Sequence, residues 1–97
     1  MLFMVNDSPY RSTALSTCLQ VAAPGSAILL YEDGVYGAKQ GSPLEETLRK
    51  AAKDVEIYVL EEDLRARGIT KILTELKTVG YDGFVDLVVK HKVVPWL

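Results

Sequence analysis

The chain has 97 residues, enough for one domain spanning 1–97, and 48% of them are hydrophobic. Thirteen acids against eleven bases leave a net charge of −2 with no basic block, so direct binding to nucleic acid is not expected. Apolar runs of about five residues fall far short of the roughly twenty that a membrane helix needs, so no membrane span is expected either.

A domain this small buries a modest share of its surface, so part of the apolar surplus is expected to lie against partner chains. The single cysteine cannot close an internal disulfide. The start Leu2-Phe3-Met4-Val5 follows no basic region and has no cleavage-like site. Both features favour the cytoplasm.

Leu2 to Asn6 reads as a buried first strand. Asp7-Ser8-Pro9 offers capping groups and a proline suited to a helix start. Ala14, Leu15, Cys18, Leu19 and Ala22 then recur at helical spacing within Arg11 to Ala23, and Pro24-Gly25 ends that helix. Ala27 to Tyr31 is the second strand. It runs into Glu32-Asp33-Gly34, followed by a short helical turn over Val35 to Lys39.

Ser42-Pro43-Leu44-Glu45 has the grammar of a second helix start, with Leu44, Leu48 and Ala51/Ala52 on one face. Val55 to Leu60 is a third strand, placing Val55, Ile57 and Val59 on one side and Glu56 and Tyr58 on the other. Glu61 to Arg67 begins acidic and ends basic, as a helix dipole favours, and Gly68 stops it. Ile69 to Leu76 fits no single element, and Lys77 to Tyr81 holds a short fourth strand. From Tyr81-Asp82 a helix begins whose apolar residues Phe84, Val85, Leu87, Val88 and Val89 cover much of its circumference. Val93 to Leu97 is an apolar edge strand. Strands alternating with helices predict a parallel-rich sheet with helices on both faces.

The stretch Leu29 to Tyr36 carries the strongest functional signal. A strand that ends in Glu-Asp-Gly sets charge and a flexible residue at the carboxyl edge of a sheet, where open α/β folds build crevices. Glu32 and Asp33 are therefore candidates for holding a partner or orienting a thiol. Tyr36 and Trp96 are amphipathic side chains of the kind enriched in interfaces, and both also suit a core.

Cys18 is the sole thiol. A reactive cysteine wants exposure and a nearby positive charge. Cys18 instead shares a helix face with Ala14, Leu15 and Ala22, the setting of an inert core residue. A helix starting near Pro9 puts it about nine residues on, roughly 13 Å along the axis and away from the sheet's carboxyl edge. His91 sits between Lys90 and Lys92 with no second ligand nearby, so a metal site is not expected. Glu61-Glu62-Asp63 reads as a dipole complement. Asn6-Asp7-Ser8-Pro9 has no glycine and loses a backbone donor at Pro9, which disfavours nucleotide or flavin binding.

An ordered set of segments resembles a known family. It comprises Val5-Asn6-Asp7-Ser8-Pro9-Tyr10, Cys18-Leu19, Leu29-Leu30-Tyr31-Glu32-Asp33-Gly34-Val35-Tyr36, Val59 to Gly68, Tyr81 to Leu87 and Trp96-Leu97. Together they resemble the DsrH/TusB family of sulfur-relay proteins over nearly the whole chain. The resemblance implies a small three-layer α/β/α domain with a mostly parallel five-stranded sheet. It implies homologous subunits of the DsrE/TusD and DsrF/TusC types in a doubled three-subunit assembly. It implies no cofactor beyond a transient cysteine persulfide, and a downstream sulfur-acceptor protein.

In the catalytic sister subunit of that family, the persulfide cysteine is expected at the end of a central strand, ahead of an arginine-rich turn ending in glycine. Here Leu60 and Glu61 hold that region, before Arg65-Ala66-Arg67-Gly68. Cys18 matches a cysteine of the DsrH branch that TusB proteins commonly lack. The leading expectation is a structural or docking subunit of a sulfur relay serving tRNA wobble-uridine 2-thiolation or sulfur oxidation. The alternatives are a sulfurtransferase using Cys18 and a stand-alone homo-oligomeric α/β binding module.

Overall fold

Strand alternation decides which side of the sheet each residue serves. The computed structural model describes residues 1–96, and Leu97, the last residue of the expected edge strand, lies outside them. Strands β1 (Leu2–Val5), β2 (Ala27–Leu30) and β3 (Glu56–Leu60) form the centre of a five-stranded sheet. β4 (Lys77–Val79) flanks β3, and β5 (Val93–Trp96) flanks β1, giving the order β4-β3-β2-β1-β5. Every pairing is parallel, so the sheet is wholly parallel rather than mostly so.

Phe3, Val5, Ile28, Leu30, Ile57 and Val59 point to one face. There they meet α1 (Ala14–Val21), a 3-10 helix (Glu32–Ala38), α2 (Glu45–Ala51) and α3 (Glu61–Ala66). Leu2, Met4, Ala27, Leu29 and Tyr58 point to the other face, on which α4 (Tyr81–Lys90) is the one helix among the described residues, packing through Phe84 and Leu87. Crossovers between parallel strands are right-handed. The steps β1→β2→β3→β4 all move one way across the sheet and stack their helices on the first face. The last step returns from one edge to the other, which puts α4 on the opposite face.

The 3-10 helix is longer than the turn expected over Val35 to Lys39, because it begins at Glu32 directly after β2. Two glycines let it sit close. A Cβ on Gly34 would lie 2.3 Å from the Val5 carbonyl oxygen, and one on Gly37 would lie 2.6 Å from a Leu15 methyl carbon. The same Val5 carbonyl accepts the Tyr31 N–H at 3.1 Å. Thus the end of β2 is fastened to the end of β1.

The first helix starts later than the capping signal at Asp7-Ser8-Pro9 predicts. The Ser8 carbonyl accepts from Arg11 N and Ser12 N, closing a separate turn, and Ser12 Oγ accepts the Ala14 N–H at 2.9 Å. Two local turns in succession precede the helix, whose N-cap is Thr13. Cys18 therefore lies about 6 Å along α1, rather than 13 Å. The ambiguous stretch Ile69 to Leu76 is a loop that docks through one antiparallel bridge, Lys39 with Ile72, and buries Leu73 and Leu76. No helix of the described residues is long and apolar enough to cross a membrane.

Both sheet edges carry residues that resist further pairing. β4 is three residues long and presents Lys77, while β5 carries Pro95, which has no N–H to donate.

Gly34→Ala is expected to cost about 3 kcal/mol of stability, because the new methyl meets backbone rather than a flexible side chain. Urea denaturation of the two proteins measures it, and a loss below about 0.5 kcal/mol would mean that the Val5 contact relaxes freely.

Candidate functional site

Open α/β sheets place their crevice where successive helices leave for opposite faces. Here that point lies between the carboxyl ends of β3 and β4, since α3 follows β3 on one face and α4 follows β4 on the other. Leu60 ends β3 opposite Val79 of β4, and it is only 5% exposed. Beside it is a cleft of about 370 Å3 lined by Met4, Leu29, Tyr31, Leu60, Tyr81 and Phe84, with Glu32 and Asp63 at its mouth. Glu62 braces the two helix starts: its Oε2 accepts the Tyr81 N–H at 3.4 Å and lies in contact range of Gly80. Hydrocarbon and carboxylates line the place where this fold class usually presents a ligand.

Next to the cleft, the acidic turn after β2 is built into an ion-pair lattice. Glu32 has φ 47°, a left-handed conformation that a non-glycine residue holds only when its surroundings compensate. The compensation is visible. Its N–H donates to Asp63 Oδ2 at 2.6 Å, and its carboxylate accepts from Asn6 Nδ2 at 3.3 Å. Asp33 Oδ1 accepts from Arg67 through Nε at 3.0 Å and Nη2 at 2.9 Å, and Arg11 Nη1 lies 3.8 Å from Asp33 Oδ2. Arg67 also reaches Asp63, donating to its carbonyl at 3.3 Å and approaching its carboxylate at 3.7 Å. With 22% of its side chain exposed, Arg67 ties the turn after β2 to α3.

The sequence signals thus converge in part. Glu32 and Asp33 stand at the carboxyl rim as their position after a strand requires. Asp63, which the sequence assigns only to a helix dipole, and Arg67, assigned to a basic helix end, are the residues that hold them. The Asp63 and Arg67 spacing of four on one helix is the signal that links them, though nothing in sequence tells that both reach across to the neighbouring loop. Tyr36 borders a cleft of about 350 Å3 formed with Lys39, Arg67 and Lys71, so an aromatic ring and three cations share one rim. Burial, and then the Glu32 carboxylate, push the Tyr31 phenol above its usual range, so it keeps its proton at neutral pH.

Cys18 is not brought to this rim. It is 0% exposed, packed in the layer between α1 and the sheet, and burial pushes its thiol from 9.0 to about 11. Trp96 is half-buried at the opposite edge. Its ring meets Phe3 edge-on at 5.7 Å, and its indole N–H donates to Thr17 Oγ1 at 3.0 Å, joining β5 to α1. His91 ends α4, and among the described residues no cluster of three His, Cys, Asp or Glu side chains could hold a metal.

Fold and rim together define a class: a small, wholly parallel three-layer α/β domain whose switch-point crevice is floored by Leu60 and bordered by carboxylates. The family model described as DsrH like protein matches residues 7–94. Relatives named Protein TusB are 41% identical in Erwinia tasmaniensis, 39% in Shigella flexneri and 38% in Escherichia coli, each over 94% of this chain and 94% of the relative. The chain belongs to the DsrH family. Two solved structures share the fold. A protein of unknown function from Methanobacterium thermoautotrophicum matches with a TM-score of 0.76 at 14% identity, covering 97% of this chain and 96% of that one. A Thermotoga maritima protein solved in solution matches at 0.66 with 19% identity, covering 94% of each.

Arg67→Met leaves Asp33 and Asp63 without their shared donor and is expected to cost about 2 kcal/mol in urea denaturation. Arg67→Lys should recover less than half, since an ammonium cannot span both acids as the guanidinium fork does. Full recovery by lysine would reduce the lattice to simple charge proximity.

Cys18 alkylation in the native protein is expected to be slow at pH 7.5 and to climb with pH without a plateau below about 11. Folding raises this pKa, so the associated stability is complete below pH 9.0 and drains away as pH rises towards 11. Stopped labelling at stepped pH measures the first effect. A plateau near pH 8 would show an ionised, accessible thiol.

Proposed function

We propose that this chain is a structural and docking subunit of a cytoplasmic sulfur relay, in which persulfide sulfur passes between carrier proteins. The observation that carries this reading is the switch-point crevice: a persulfide needs a thiol, and the crevice offers Leu60 where the chain's only cysteine lies buried elsewhere. The relay chemistry then belongs to a homologous subunit of the DsrE/TusD type, with a DsrF/TusC-type subunit completing the assembly. Family membership and relatives named TusB support that setting. The route beyond is tRNA wobble-uridine 2-thiolation or sulfur oxidation. Kinship with TusB-named relatives leans towards the first, and the presence of Cys18 leans towards the DsrH branch.

In this role Glu32, Asp33 and Tyr36 form the face offered at the carboxyl rim, where Lys39 and Lys71 add cations for an acceptor protein with an acidic segment. Trp96 secures the far edge that other subunits approach. Cys18 serves as packing under α1.

The expected result is co-purification of this chain with two homologous small subunits when the three are co-expressed. After loading with a sulfur donor, intact-mass spectrometry should place the added sulfur on a partner subunit and leave this chain's mass unchanged. A chain that binds neither subunit, or that gains one sulfur on Cys18, would overturn the assignment.

A further inference from the structure

The composition of the switch-point cleft beside Leu60 selects what can enter it. Met4, Leu29 and Leu60 supply hydrocarbon, and Tyr31, Tyr81 and Phe84 supply three aromatic rings. Glu32 and Asp63 are the charged residues of the lining, with no lysine or arginine beside them. Along the surrounding rim, Arg67 and Arg11 pair with Asp33, Arg67 also with Asp63, and Arg65 with Glu61 and Glu62. Glu32 is the acid left over. It is exposed, and its carboxylate has Asn6 Nδ2 as its hydrogen-bond donor, with no cation in ion-pair range among the described residues. Its left-handed backbone is pinned by Asp63, so the free charge stands at a fixed place on the mouth. Glu62, which accepts the Tyr81 N–H, keeps its Oε1 buried with no hydrogen-bond partner and adds negative potential on the same side.

Apolar and aromatic walls with an unpaired carboxylate at the mouth fit a cation carried on a hydrocarbon stem. An anion is repelled, and a purely apolar group would leave Glu32 desolvated and unpaired. Lysine's ammonium is a compact, strongly hydrated charge. A guanidinium is planar and weakly hydrated, and it stacks on rings while its edge donates to a carboxylate. We propose that this cleft receives an arginine side chain of a partner protein, its stem against Leu29 and Leu60, its guanidinium plane on an aromatic wall and its N–H edge on Glu32. The surface beyond the mouth selects a protein as the bearer. Tyr81 and, one turn on, Val85 are each 56% exposed and extend the wall outwards. Residues flanking the arginine gain contact there, and a free cation gains none. The inference does not rest on the relay reading, because it uses neither a thiol nor the Tyr36, Lys39 and Lys71 cleft.

NMR titration of the full chain with the capped peptide acetyl-Leu-Arg-Leu-amide tests it. The peptide should shift the side-chain signals of Tyr31, Leu60, Tyr81 and Phe84 with a dissociation constant of roughly 1–10 mM, the scale of a single anchored side chain. The same peptide with citrulline, which is neutral and of matching shape, should bind at least about fivefold more weakly, and the one with lysine at least about threefold. Glu32→Gln and Tyr81→Ser change exposed side chains and should each weaken the arginine peptide at least about threefold with unchanged circular dichroism. The proposal fails if these signals stay still at about 20 mM peptide, if the citrulline or lysine peptide binds as well, or if either variant binds like the wild type. Ethylguanidinium binding as tightly as the arginine peptide would assign the cleft to a free cation and equally end the proposal.

Discussion

Right-handed crossovers between parallel strands constrain this molecule more than any single contact does. Three steps in one direction use up one face of the sheet, and the return step must then cross the other. From that constraint follow the two unequal cores, the solitary position of α4 and the location of the switch point between β3 and β4. Local interactions elaborate a layout that connectivity has already imposed.

At the switch point the local chemistry occupies backbone donors that a parallel sheet often leaves free. Parallel sheets commonly present backbone N–H groups and small residues at this place. Here the Glu32 N–H is already given to Asp63 and the Tyr81 N–H to Glu62, while Leu60 closes the floor. Carboxylates that neutralise those donors make the rim a poor host for phosphate. Arg67 then balances the acids and joins two elements that are separate in sequence. The outcome is a rim cross-linked by ion pairs and charged on its outside.

Much of the fold is legible in the residues. Alternation in Ile57, Tyr58 and Val59 gives the two faces of β3, and the stop at Gly68 follows from its left-handed φ of 66°. The start of α1 is not legible, because Ser8 and Ser12 offer capping groups that close local turns instead, and the helix opens at Thr13, whose side chain caps nothing. The loop from Ile69 to Leu76 is hidden for a different reason: Leu73 and Leu76 are buried by tertiary docking, so their spacing follows no local period. At the rim, position after a strand identifies Glu32 and Asp33, whereas Asp63 and Arg67 acquire their roles only when α3 folds back beside the 3-10 helix. Burial of Cys18 is legible from its helical face, and its elevated thiol pKa follows from that burial alone.

Lysine on one margin of the sheet and proline on the other have a consequence for growth. Both borders discourage pairing with another strand, which disfavours zipping neighbouring molecules into a continuous ribbon through main-chain pairing. A larger particle is then favoured through side chains on helices and loops, where complementary shape limits the number of members. A chain bordered in this way is suited to finite, countable assemblies and protected from fibrous ones.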